Sequence, residues 1–150
     1  MTRCKHCLSK AEARDGRCSV CGIELHKGLA DLSPQEKKVR FHARGIRAVA
    51  VFHLIAAGMG IILMWCFPAP LPMAMIALIN CILAFGLSRY SLLAYKAATV
   101  YYFLIGMVNV ISIQRGAVHL AGILLMLVAL YLVGNGTSKA IFERTLPEEV

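Results

Sequence analysis

Four cysteines open the chain in two pairs, Cys4-Lys-His-Cys7 and Cys18-Ser-Val-Cys21-Gly22, a CxxC–x10–CxxC array. Two residues between thiolates let a tight turn aim both sulfurs at one ion, and Gly22 relaxes the backbone behind the second turn. Two such turns supply four sulfurs to a tetrahedron, which zinc accepts without electronic preference. So short a segment cannot bury a core, so the ion must contribute most of its folding free energy. Structural zinc at Cys4, Cys7, Cys18 and Cys21 is therefore expected. Iron on four cysteines, as in rubredoxin-like knuckles, shares the spacing and is less favoured. Two disulfides are disfavoured in a reducing compartment, and a redox CxxC comes singly on a thioredoxin-like pattern absent here. His6 and His26 lie near the cysteines, but four sulfurs already fill the tetrahedron, so both are expected to be exposed to solvent.

No other constellation supports catalysis. There is no HExxH, no nucleophile elbow and no pair of carboxylates, so no catalytic residue is expected and the chain reads as non-enzymatic. Gly134-Asn-Gly-Thr-Ser-Lys139 has the wrong spacing for a phosphate loop and no strand before it. Asn135-Gly-Thr137 is a glycosylation sequon by letter only, because it should face the cytoplasm.

The elements that position these cysteines are dictated by composition. Of 150 residues, 59% are hydrophobic and 16% charged, and from Gly45 to Gly134 there is no Asp or Glu. A carboxylate-free stretch of that length cannot form the surface of a water-soluble protein, so lipid must be its solvent. The predicted architecture is an all-α membrane protein of four transmembrane helices, arranged as hairpins behind a small N-terminal zinc ribbon. Ribbon (1–25), linker and basic interfacial helix (26–45), transmembrane region (46–134) and cytoplasmic tail (135–150) follow in order.

Spans are predicted over about Ile46–Phe67, Leu71–Leu87, Ala97–Ile113 and Ala117–Val133, the last three near the lower limit for crossing. Pro68, Pro70 and Pro72 make the first turn, and Gln114-Arg115-Gly116 the third. The second connection, Ser88–Lys96, carries Arg89, Tyr90, Tyr95 and Lys96, cations and tyrosines suited to the water–lipid boundary. Ser33-Pro34-Gln35-Glu36 predicts a helix start closed by a capping box. The helix from there carries Lys37, Lys38, Arg40, Arg44 and Arg47, expected to meet headgroups before the first span. Thr137 or Ser138 is expected to cap a short tail helix running through Arg144.

The net charge of +8 is unevenly placed, with eleven of sixteen Lys and Arg in positions 1–47. That placement favours membrane orientation over nucleic-acid binding. With a cytoplasmic N-terminus, fifteen basic residues fall on the cytoplasmic side against Arg115 alone outside. Both termini, and the metal knuckle, should therefore be cytoplasmic. No cleavable signal peptide is expected, because the first apolar run begins late and is too long for one.

Ionisable groups are scarce in the spans. His53, His119, Asn80 and Asn109 are possible intramembrane polar contacts, read as bonds between neighbouring helices. Cys66 and Cys81 read as small apolar fillers. Ala56-x3-Gly60 and Ala117-x3-Ala121 have the small-xxx-small spacing of close helix contacts.

Met1–Leu25 resembles the N-terminal zinc ribbon found on many bacterial and archaeal membrane proteins, with Leu8 standing where glycine often follows the first pair. The rest resembles uncharacterised four-helix bacterial membrane modules, in Gly86-Leu87-Ser88-Arg89 closing the second span and Lys139-Ala140-Ile141-Phe142 after the fourth. The resemblance implies metal binding and a bacterial inner (cytoplasmic) membrane. The expected role is an adaptor, accessory or scaffold subunit of a membrane complex, with the lipid bilayer, a membrane or cytoplasmic protein, and a second copy of the chain as partners. The alternatives are a small oligomeric transporter or channel, and a membrane-tethered redox protein with iron at the cysteines.

Overall fold

The computed structural model describes residues 3–10, 13–66, 70–112, 114 and 116–145. The predicted turn residue Pro68, Arg115, and the ends of the first and third predicted spans lie outside the described residues.

The N-terminal segment folds around two similar turns. In the first, the Leu8 amide donates to Cys4 O (2.8 Å) and the Cys4 amide to Ser9 O (3.0 Å); in the second, Gly22 donates to Cys18 O (2.8 Å) and Cys18 to Ile23 O (3.0 Å). Between them β1 (Ala13–Arg14) and β2 (Arg17–Cys18) pair antiparallel, with Ala13 opposite Cys18 and Arg14 opposite Arg17. The connecting residues, Asp15 (φ 49°) and Gly16 (φ 78°), are both left-handed, as the two central residues of a tight hairpin turn require.

α1 (Pro34–Cys66) is a single helix of 33 residues. At 1.5 Å per residue it is roughly 50 Å long, well beyond the ~30 Å hydrocarbon layer, so its polar first third projects from the apolar part. Its start is the predicted capping box: the Glu36 amide donates to Ser33 Oγ (3.1 Å), and the Ser33 amide to Glu36 Oε2 (2.7 Å). Gly45 does not interrupt the helix. It lets Leu132 approach, since a Cβ there would stand 2.7 Å from Leu132 Cδ2.

α2 (Pro70–Ser88), α3 (Leu92–Ile111), α4 (Ala117–Gly134) and α5 (Gly136–Glu143) follow. Among the described residues three helices, α1 to α3, are long and apolar enough to cross a membrane; a fourth span is present if α4 and α5, bent by 50° at Asn135, count as one. The spans are longer than expected: α3 begins at Leu92, not Ala97, because Lys96 stays exposed on the helix surface and does not end it. The turn before it is therefore only Arg89–Ser91. It closes α2 with two backbone bonds, Tyr90 N to Leu87 O and Ser91 N to Gly86 O (both 3.0 Å), around a left-handed Tyr90 (φ 54°) where glycine is usual. The cap of α5 is Asn135, whose Oδ1 accepts from the Thr137 amide at 2.9 Å, not the expected Thr137 or Ser138. Ser138 turns inward instead: its hydroxyl donates to Leu132 O (2.6 Å) and accepts from His42 Nδ1 (3.2 Å), tying α5 to α1.

The main buried cluster lies at the knuckle end of the bundle. It runs from the four cysteines and Ile23 through Val39, Ala43 and Ile46 to Leu87, Tyr90, Val133, Ile141 and Phe142. Knuckle and helices thus share one core. Elsewhere the outward faces are apolar, with Leu54, Ile62, Leu78, Phe103 and Leu124 all more than half exposed, which lipid accommodates and water does not. Cys66 and Cys81, read as small apolar fillers, belong to those outward faces and are exposed. Of the small-residue pairs, Gly60 is used within the chain, a Cβ there lying 3.2 Å from that of Ala77 on α2; Ala117 and Ala121 stay exposed.

Candidate metal centre

The four cysteine sulfurs lie within 4.8 Å of one another, and all four residues are buried. Cys4 Sγ is 3.8 Å from Cys21 Sγ, and Cys7 Sγ is 3.6 Å from Cys18 Sγ. A tetrahedron with metal–sulfur bonds of about 2.3 Å has edges of about 3.8 Å, so this cluster has the dimensions of a four-thiolate ion site. Neighbouring donors complete it. The His6 amide points at Cys4 Sγ (3.4 Å) and the Ser9 hydroxyl at Cys7 Sγ (2.9 Å), the contacts that spread thiolate charge onto the protein.

Four thiolates this close repel one another. Without a cation they share protons unequally: Cys18 is driven down by hydrogen bonds, first from Cys21 and then from Cys4 and Cys7, while Cys21 is pushed up by its bond to Cys18. A divalent ion removes that conflict by replacing the shared protons, so this donor set fits a metal ion.

No histidine joins the group. His26 is exposed as expected, its Nε2 3.3 Å from Glu24 Oε2. His6, however, is 2% exposed, not solvent-exposed as expected. Burial pushes its imidazole below the ordinary value, and Lys5 and Arg40 add to the effect. Its Nε2 is buried and finds no hydrogen-bond partner among the described residues.

The knuckle is held to the helices through its backbone carbonyls. Arg44 on α1 donates from Nε to His6 O (3.2 Å) and from Nη2 to Lys5 O (3.1 Å). Arg47 Nη1 donates to Leu8 O, which also accepts from Arg3 Nε. Of the basic residues expected at the headgroups, Lys37 and Lys38 are exposed and Arg40 is half-buried, whereas Arg44 and Arg47 spend these donors on the knuckle. Tyr90 reaches the same turn, its hydroxyl 2.8 Å from Cys7 O and 3.0 Å from Ala43 O, so that one proton is shared between knuckle and α1. Burial pushes the Tyr90 phenol up from its ordinary value and keeps it a neutral donor. Tyr90 was expected at the water–lipid boundary; it is 4% exposed.

A second polar group lies within the helices. His53 Nδ1 is 2.6 Å from Asn80 Oδ1 and its Nε2 is 2.5 Å from the Tyr102 hydroxyl. Both bonds are satisfied by one neutral tautomer, which donates from Nδ1 to the amide oxygen and accepts at Nε2 from the phenol. Asn80 Nδ2 returns a bond to Ile76 O (2.8 Å). The other pair, Asn109 and His119, meets more loosely at 3.2 Å between α3 and α4. His53, Asn80, Tyr102 and Asn109 line one side of a largely apolar cavity of about 420 Å3 among α1 to α4.

Tyr102 and His42 are polar residues that reading the sequence missed. Tyr90 and Ser138 were named there, but for the water–lipid boundary and for a helix cap.

No family model, no curated protein and no solved structure matches the chain. The clustered cysteines are compatible with a ribbon-like knuckle on geometry alone.

Proposed function

We propose that the chain is a non-enzymatic adaptor or accessory subunit of a membrane complex, built as a rigid platform whose knuckle holds structural zinc. In this reading it is a multi-pass protein of a bacterial cytoplasmic membrane, with both termini in the cytoplasm. One observation carries it: the knuckle is fastened to the bundle by Tyr90, Arg44 and Arg47. A module held this firmly does not swing or shuttle; it presents a fixed polar surface at one end of a lipid-embedded stem. Zinc is the proposed ion as the usual structural occupant of four-thiolate sites; iron fits the same four sulfurs, and metal analysis separates the two. Pull-down from detergent extracts tests the role. A Cys4→Ser/Cys18→Ser variant should lose partners that the wild type retains, and an identical partner list counts against the adaptor. Metal analysis tests the ion: about one zinc per chain and no visible absorption are expected, whereas a coloured, iron-loaded protein favours the redox reading.

The cavity beside His53 and Asn80 favours a second reading, a small transporter or channel with these residues along its path. Solute flux in liposomes that vanishes with Asn80→Ala supports it over the adaptor.

A further inference from the structure

A cavity of about 610 Å3 opens between the knuckle and the end of the helix bundle. Arg3 and Lys10 of the knuckle, Arg47 of α1, Arg89 of the α2–α3 turn and Arg144 at the end of α5 all line it, and among the described residues no carboxylate does. Four separate parts of the chain thus converge five cations on one concavity.

The charge is uncompensated among the described residues. Their ion pairs employ Arg17, His26, Lys27 and Lys139, and none of the five cations of the cavity. Arg3 and Arg47 each give one donor to Leu8 O and keep the rest of their guanidinium forks. Arg89 lies 4.2 Å over the Phe85 ring, a contact that orients the guanidinium without neutralising it. Lys10, Arg89 and Arg144 are exposed, so their charge is available to a ligand.

Like charges gathered in a concavity repel, and the field focused there draws an anion. Arginine forks match the paired oxygens of a phosphate group, and several forks around one group outperform a flat basic surface. The volume falls within the ~300–1,000 Å3 usual for small-molecule sites. Its height along the bundle is also informative. Arg47 follows Ile46, where the long apolar stretch begins, so the cavity sits at the depth of lipid headgroups.

We propose that this cavity is a binding site for a phosphate-bearing anion, either the headgroup of an acidic lipid or a soluble phosphorylated molecule. Arg89 and Arg144 hold it from the bundle side, and Arg3, Lys10 and Arg47 from the knuckle side. The site goes beyond the adaptor reading and stands or falls separately, because it is measured on the purified chain with no protein partner.

The test uses the full-length, metal-loaded protein in phosphatidylcholine nanodiscs with two probes: phosphatidic acid doped into the disc, read by native mass spectrometry, and labelled inorganic pyrophosphate added to the solution. Saturable binding of at least one probe is expected, and which one binds identifies the source of the phosphate. The exposed pair Arg89→Gln/Arg144→Gln should weaken that binding about tenfold or more. Lys96→Gln/Lys139→Gln removes the same charge from exposed positions that do not line the cavity, and should change binding less than about twofold. The proposal is overturned if neither probe binds saturably, or if the two double variants weaken binding equally, since simple surface attraction would then account for it.

Discussion

The knuckle and the helix bundle meet in one core, yet they are stabilised by opposite means. The knuckle has almost no apolar interior; the residues it buries are chiefly its four sulfurs, His6, Ser9, Val20 and Ile23. It is held by cations and a tyrosine reaching its carbonyls, and its four sulfurs are placed to hold a metal ion. The bundle presents apolar side chains outward and keeps a few polar contacts inside, such as His53 with Asn80 and Tyr102. Stability in the first region is concentrated at one point, while in the second it is spread along three or four helices. The comparison teaches that the two regions should fail separately, and that the joint between them, at Tyr90, should carry a measurable share of both.

Removing the metal gives the largest effect. Structural zinc in comparable knuckles contributes roughly 10–16 kcal/mol, more than a short segment recovers by other means. Chelation, or Cys18→Ser, should therefore unfold residues 3–25 while the helices persist. Hydrogen exchange resolved along the chain is the measurement. Protection should disappear across the knuckle and fall at Arg89–Ser91, and remain within α1 and α2. Uniform loss of protection through the helices would mean that the regions do not fail separately.

Next in size is the polar group of the bundle. His53→Ala removes the centre of a three-residue chain and leaves Asn80 Oδ1 and the Tyr102 hydroxyl buried without that partner, for a loss of about 2 kcal/mol. His119→Ala breaks a longer contact at a half-buried position, and should cost under about 0.5 kcal/mol. Unfolding of the purified protein in detergent compares them; equal losses would erase the distinction between the tight and the loose pair.

These residues also mark how far the sequence was legible. The knuckle could be read because its ligands are three and fourteen positions apart and the chemistry is local: Cys4, Cys7, Cys18 and Cys21 cluster as their spacing predicted. The capping box at Ser33 and Glu36 was legible for the same reason. Apolar runs located the helices, but not the start of α3, where Tyr90 and Lys96 resembled boundary residues. The long-range contacts could not be read. Tyr90 is 83 positions from Cys7 and Tyr102 is 49 from His53, and nothing in either neighbourhood encodes the partner. A polar residue in a span announces that it needs a bond; it does not say with which helix.

Tyr90→Phe tests the joint. The change keeps the ring in the core and removes only the proton shared by Cys7 O and Ala43 O, at a cost of about 1 kcal/mol. Its signature should be kinetic: metal should leave the knuckle several-fold faster toward a competing chelator, while helix stability changes little. Unchanged release would show that Arg44 and Arg47 suffice to hold the knuckle.

The finest test compares the two turns of the knuckle with each other. Both place a residue in the left-handed region directly after the second cysteine, Leu8 at φ 61° and Gly22 at φ 69°, and both make the same pair of backbone bonds. A side chain in that conformation costs about 1–2 kcal/mol, which glycine avoids. Glycine, however, gives back roughly 0.5–1 kcal/mol through the freedom it adds to the unfolded chain. Leu8→Gly should therefore leave metal affinity unchanged or raise it up to about tenfold, and Gly22→Ala should leave it unchanged or weaken it up to about tenfold. Competition with a chromophoric chelator resolves differences of this size. If Leu8→Gly weakens binding as much as Gly22→Ala does, then the turns are not equivalent and the Leu8 side chain, not its backbone, holds the first one in place.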